Sequence, residues 1–213
     1  MGVTDHYSHN TVKCSQIMGN MTGYFQELKT LCEAYWDKIV LKKGIEIDTR
    51  ACVFDSPRES RVLTSQKFDY YLFEYVTDNF GAGANSLPYK NNRLPLVLLH
   101  RIREFKKRLP KDCLVGLAHA YLHILPQEEL EEAIKIIVDA DLFVELNSTY
   151  QNYKMEGFER ILEVEEIKLS LGSDAHTLQQ IGKLTQPLKY VKDYKAEDRL
   201  IFMDGIKELE IEL

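Results

Sequence analysis

The sequence has little of what would take it out of the ordinary globular class. Its 11 glycines and 6 prolines among 213 residues are too few for a flexible linker or a collagen-like chain. No apolar run approaches the ~18 residues that a membrane span needs, so a spanning helix is ruled out. The opening Met1-Gly2-Val3-Thr4-Asp5-His6 lacks a basic segment followed by an apolar stretch, and no secretory leader is expected. Positive charge is not in excess: 27 basic against 33 acidic residues give −6. That balance argues against a general nucleic-acid binder, although a local basic patch would survive it. The four cysteines, Cys14, Cys32, Cys52 and Cys113, form no Cys-x-x-Cys pair, which excludes a zinc ribbon and favours reduced, buried thiols. No Gly-Lys-Ser/Thr follows the glycine-rich stretch at residues 79–94, so a nucleotide-type phosphate loop is not expected. No serine has a nucleophile-elbow surround. A cytoplasmic setting fits these absences.

What the chain does have is 45% hydrophobic and 28% charged residues, the composition of a single domain spanning 1–213. Short apolar runs alternate with longer amphipathic segments. Leu28, Leu31, Cys32, Tyr35 and Trp36 recur at three- and four-residue spacing and predict a helix over 24–38 with a core-facing stripe. Gly44-Ile45-Glu46-Ile47-Asp48 and Phe68 to Val76 read as strands. A helix is predicted from about Leu96 to Leu109, stopped by Pro110; its basic face (Arg101, Arg103, Lys106, Lys107, Arg108) reads as solvated. Strands are predicted at Cys113–Leu117, Leu142–Leu146 and Lys168–Leu171. Between them lie a helix opened by Pro126 with Glu128 and Glu129, and a short acidic helix at 156–166. A last helix runs to about Lys192, and the tail from Ile201 adds a helix and a short strand. Such alternation implies an α/β fold with a parallel sheet covered by helices, open or closed into a barrel.

The ionisable residues fall at the ends of these strands. Asp5-His6, Glu46 with Asp48, Glu74, His119, Glu145 with Asn147, and Asp174 with His176 stand there in succession. In parallel α/β folds the C-terminal strand ends share one face, which hosts the active site. Residues two apart in a strand point to the same side, so Glu46/Asp48 and Asp174/His176 are candidate pairs. Histidine and carboxylate ligands without thiolates suit Zn²⁺, Mn²⁺ or Fe²⁺. Glu46 lies in an apolar strand, where an unpaired carboxylate costs several kcal/mol unless a cation or donors satisfy it. Glu145 follows the same logic, with pairing to a lysine or arginine as an equal explanation.

These residues, taken in order, resemble the PHP (polymerase and histidinol phosphatase) family of metal-dependent phosphoesterases. The resemblance rests on Thr4-Asp5-His6, Gly44-Ile45-Glu46-Ile47-Asp48, Ala118-His119, Val144-Glu145-Leu146-Asn147 and Gly172-Ser173-Asp174-Ala175-His176. It implies a distorted barrel of the (β/α)7 type with one to three divalent cations at the C-terminal strand ends. It implies His6 as a metal ligand, Glu46 as a carboxylate bridging two metals, and His119 as a ligand of one of those two. Asp174 and His176 would ligate separate metals, and Asp5 would orient its neighbour. Glu46, Asp174 and His176 are thereby the expected catalytic residues.

Two departures stand out. The family's opening His-x-His strand does not precede Thr-Asp-His, and the histidine usual at the end of the Phe68–Val76 strand is absent, leaving Glu74 as a candidate oxygen ligand. His9, three residues after His6, is a further candidate. Arg50 and Arg58 are candidates for clamping a phosphate bidentately. A barrel without its first strand has unpaired edges, which leaves three alternatives: a shortened chain, a second copy or partner chain filling the gap, or a rearranged barrel. The expected activity is hydrolysis of a phosphate ester by metal-activated water, the substrate being a small phosphomonoester or nucleotide. The alternative is a domain that binds metal, a phosphate compound or a protein partner without turnover. An amidohydrolase lacks its carbamylated-lysine strand here.

Overall fold

The structure is a computed structural model that describes residues 1–4, 6–7, 21–48, 57–74, 94–120 and 122–202. Strands β1 (Gly2–Val3) and β2 (His6–Tyr7) pair with β3 (Lys42–Asp48) in one continuous register, Gly2 against Lys42 and His6 against Glu46. They are one interrupted strand. From β3 the sheet proceeds through β4 (Tyr70–Glu74), β5 (Leu114–Ala118), β6 (Phe143–Asn147) and β7 (Lys168–Gly172). Every pairing is parallel, and from β3 onward every strand pairs with the next along the chain. The result is six strand positions in a curled half-barrel.

Helices connect the strands: α1 (Met21–Ala34), α2 (Pro57–Ser65), α3 (Leu94–Lys106), α4 (Gln127–Asp139), the single turn α5 (Glu159–Leu162), and α6 (Thr185–Asp193). Pro126 precedes α4 and Glu128 and Glu129 occupy its first turn, where a carboxylate meets the positive end of the helix dipole. None of the described helices is long and apolar enough to cross a membrane.

Strand alternation sorts the two faces of the sheet. Ile45, Ile47, Tyr71, Phe73, Val115, Leu117, Val144, Leu146 and Leu169 belong to the main core, with Leu99, Ile102 and Phe105 of α3 and Ile134 and Ile137 of α4. The inner, concave face carries a small second cluster: Tyr70, Leu72, Ala118 and Phe143, joined by Ile201 and Phe202. Phe202 packs on Tyr70 and Phe143 at ring separations of 5.0 and 5.9 Å. Toward the C-terminal ends the same face turns polar, with Glu46, Glu145, Asn147 and Ser170 all buried. The ionisable groups of the concave face thus border this apolar floor, Glu46 being level with Leu72 and His119 following Ala118.

Curling brings bulky inner side chains over the neighbouring strand, and glycine makes the space. A Cβ on Gly44 would fall inside the Tyr70 ring, and one on Gly172 would overlap Glu145 Oε1. Gly44→Ala is therefore expected to force Tyr70 off its site at about 1–3 kcal/mol. A fall of roughly 5 °C in Tm is the readout; an unchanged Tm would show that the ring has room to move.

Several sequence expectations need correction. The first helix ends at Ala34 rather than near residue 38, Tyr35–Lys38 forming a turn. Of its predicted stripe only Leu28 is buried, while Leu31, Tyr35 and Trp36 are exposed, Trp36 at 78%; past the helix end the three- and four-residue spacing no longer selects a face. The acidic helix shrinks to Glu159–Leu162, and the last helix is preceded by a 3-10 turn at Leu178–Gln180. The tail begins with a single parallel bridge from Leu200 to Leu169; residues 203–213 and the glycine-rich stretch lie outside the described residues, apart from Leu94 at its end. Helix α2 had no forecast, because its polar sequence carries only Val62 and Leu63 as an apolar signal. Cys113 is buried and reduced and Cys32 is reduced and half-buried; Cys14 and Cys52 lie outside the described residues.

Candidate metal centre

Three strands in succession deliver the groups of the site. Glu46 is the fifth residue of β3, Glu74 ends β4, and His119 follows β5 directly. Register staggers them: Glu46 pairs with Leu72, two residues before Glu74, while Glu74 pairs with Ala118, the neighbour of His119, so the side chains rather than the backbone levels bring the donor atoms together. One donor atom from each lies within 4.8 Å of the others. His119 Nε2 stands 3.7 Å from Glu46 Oε1 and 3.6 Å from Glu74 Oε1. Two ligands on one tetrahedral cation with bonds near 2.1 Å would be separated by about 3.4 Å, so the spacing fits a shared ion. The donors, two carboxylate oxygens and one imidazole nitrogen without a thiolate, suit a borderline or hard divalent cation.

Glu145 lies beside this trio and is buried. Burial, with the Glu46 charge adding to it, pushes its carboxyl up to about 7. Two donors oppose the shift: Asn147 Nδ2 donates to Oε2 at 3.0 Å, and the His119 N–H donates to the same oxygen at 3.1 Å. Of the two readings of Glu145, hydrogen-bond donors rather than a lysine or arginine meet it here: a backbone N–H and a side-chain amide that β5 and β6 bring together. For His119, burial works against the charged imidazolium. The Glu46 carboxylate beside its ring, with Glu74 and Glu145 behind it, nonetheless raises its pKa. Negative charge is concentrated here, and a divalent cation would neutralise it.

His119 is held in an unusual conformation, at φ +31°, where a residue with a Cβ is strained. Asn152 Nδ2 donates to its carbonyl at 2.6 Å, and its ring stacks on Tyr150 with centroids 4.1 Å apart and planes at 27°. Asn147 Oδ1 accepts the N–H groups of Thr149 and Tyr150 at 2.9 and 3.2 Å, which fixes the turn that carries the tyrosine.

The remaining candidates lie as follows. Asp174 and His176 pair with one another, Oδ1 to Nε2 at 3.4 Å, and are not members of the trio. The His176 side chain is 68% exposed, and the His176 backbone N–H donates to Gln180 Oε1. His6 is in register with Glu46. The side chains of His6, Asp48 and Arg58 lie outside the described residues, as do Asp5, His9 and Arg50 altogether. Of the histidines outside the site, His100 faces Glu132 from α3 at 3.4 Å, and burial lowers the pKa of His123.

With that geometry in place, the chain can be set beside known proteins. The crystal structure of a candidate histidinol phosphatase, hisK, from Listeria monocytogenes superposes with a TM-score of 0.54, at 15% identity and over 85% of each chain. The likeness is one of fold: a PHP-like curled parallel half-barrel covered by helices. A chain of archaeal ribonuclease P, solved by cryo-EM with mature tRNA, aligns at 13% identity over 91% of this chain and 78% of its own, with a TM-score of 0.44. No family model and no curated protein matches the sequence. On the PHP-type fold the trio occupies the C-terminal strand ends, where parallel α/β barrels carry their chemistry.

The residues that sequence reasoning left without a role are Tyr150 and Asn152. Both follow Glu145-Leu146-Asn147 within five residues. A strand end that carries a buried carboxylate and an amide was the available signal that the next turn would fold over the site.

Proposed function

We propose that this chain is a metal-dependent phosphoesterase that hydrolyses a small phosphate monoester, a reaction of the kind named for its structural neighbour. The observation that carries this reading is the Glu46–Glu74–His119 trio at the C-terminal strand ends of a PHP-type half-barrel. A divalent cation held there supplies a Lewis acid for phosphoryl oxygens and lowers the pKa of a coordinated water. Glu46 and Glu74 bring the negative charge that binds it, and His119 the nitrogen ligand. Glu145 stays out of the ligand set and braces the His119 backbone. Asp174 and His176, after β7, and His6, in register with Glu46, would serve a second cation. Arg50 and Arg58 would grip the phosphate from the segment after β3.

One observation favours a second reading, binding without turnover: the Asp174–His176 pair stands apart from the trio, and a trio holding one cation would lack the second metal of a two-metal site. Metal counting separates the two. Protein purified without added ions should contain two or more equivalents of Zn, Mn or Fe and hydrolyse a panel of phosphomonoesters. Asp174→Ala should lose about one equivalent and most of the activity. One equivalent or none, with no hydrolysis across the panel, selects binding alone.

A further inference from the structure

We propose that Glu145–Asn152 is a clamp that sets the imidazole of His119, with Asn147 and Tyr150 as positioning residues for the metal ligand. The inference rests on the cation-site reading above and adds the residues that make the site rigid.

Three separate grips on His119 come from this one short segment. Glu145 Oε2 takes its N–H at 3.1 Å, Asn152 Nδ2 holds its carbonyl at 2.6 Å, and Tyr150 covers one face of its ring. A backbone at φ +31° persists only where the surroundings over-determine it, at a cost of order 1–3 kcal/mol. Released, the residue would relax toward negative φ and carry Nε2 away from both carboxylates.

Asn147 joins the grips into one unit. Its amide nitrogen braces Glu145 while its amide oxygen pins the Tyr150 turn. The same turn is tied to the far side, since Ser148 N–H donates to Gly172 O at 2.8 Å and Thr149 Oγ1 to Ser173 O at 3.1 Å. The segment therefore spans from the His119 strand end to the strand end that carries Asp174. Tyr150 itself is 43% exposed and contributes little to the core, so its placement against the ligand ring is not a by-product of burial. Groups that orient a ligating histidine typically change metal affinity or activity by about 10–100-fold when removed.

The test uses the full chain, stripped by chelation and titrated with Mn²⁺ by calorimetry, with Co²⁺ absorption as a report on ligand geometry. Tyr150→Phe keeps the stacked ring and should bind within about twofold of wild type. Tyr150→Ala and Asn147→Ala should bind roughly 10–100-fold more weakly, with a displaced Co²⁺ band. Glu46→Gln serves as the reference for a lost ligand. If wild type binds and Glu46→Gln does not, while Tyr150→Ala keeps full affinity and an unchanged Co²⁺ spectrum, the clamp is wrong and the site stands. Equal losses in Tyr150→Phe and Tyr150→Ala would also overturn it. A wild-type chain that takes up no Mn²⁺, or a Glu46→Gln chain that binds like wild type, removes the site and the clamp together. Should Asn147→Ala fail to fold, the Tyr150 pair decides the matter alone.

Discussion

Glu46→Gln is expected to abolish tight divalent-cation binding and, at pH 8.5, to raise the Tm of the cation-free protein. The two effects have one cause. Glu46 is 8% exposed, faces His119 Nε2 at 3.7 Å, and adds to the burial that holds the Glu145 carboxyl near 7. In the bound state its charge is a ligand, and losing it removes several kcal/mol of attraction, on the order of 10³-fold in affinity and hydrolysis. In the stripped state the same charge sits next to a buried carboxylate, and removing it relieves a repulsion. Gln keeps the shape and an oxygen that can accept from the imidazole, so packing is preserved. Calorimetric titration and a thermal melt in chelator measure the two halves. A variant with wild-type affinity, or one whose chelated Tm falls, contradicts the arrangement.

The second large effect concerns pH. Glu145 has its folded pKa raised from the ordinary value near 4.5 to about 7. The folded state therefore holds a proton that the unfolded state gives up between these values, and stability falls as pH rises across that window. His119 is also raised. Its contribution is complete below the ordinary histidine pKa and is lost as pH climbs through the folded value. Both groups act in the same direction. Asp141 works differently: burial opposes its charge, but Lys168 and Lys106 hold its pKa below the usual carboxylate range, so its contribution is lost only at lower pH. The Glu145 shift alone corresponds to about 3 kcal/mol, or roughly 10 °C in Tm for a chain of this size. Chelated protein should accordingly melt lower at pH 8 than at pH 5.5. With Mn²⁺ present the order reverses in one respect: the cation takes the place of the protons, and its stabilising increment grows with pH. Melts at four pH values with and without the ion give both slopes. A flat profile in chelator would mean that Glu145 is solvated rather than enclosed.

The sheet was largely readable from the residues. Gly44–Asp48 and Lys168–Leu171 stand close to where alternation put them, because a strand whose inner positions are Gly44, Glu46 and Asp48 and whose outer positions are Ile45 and Ile47 has one apolar face. Histidine and carboxylates at successive strand ends were visible for the same reason. Glu74 was legible only as a substitute for an absent histidine; its approach to His119 depends on the β4–β5 register, which no local pattern encodes. Asn147 and Tyr150 illustrate the remaining limit. Their importance is a matter of what they touch across strands, and a polar turn after a strand looks alike whether it caps a loop or grips a ligand. Helix α1 failed at its end because Tyr35 and Trp36 continue an apolar period past the point where the backbone turns.

The pairing order has a consequence for how the molecule is made. From β3 onward each strand is hydrogen-bonded to the next along the chain, so none of these strands waits for a distant one before it can dock. Synthesis proceeds from the N-terminus, and the candidate cation ligands Glu46, Glu74 and His119 are all out once residue 119 has emerged. The segment that steadies His119 follows some thirty residues later. A nascent chain stalled between these points would hold its ligands loosely, and an ion present at that stage could help gather them before the brace arrives.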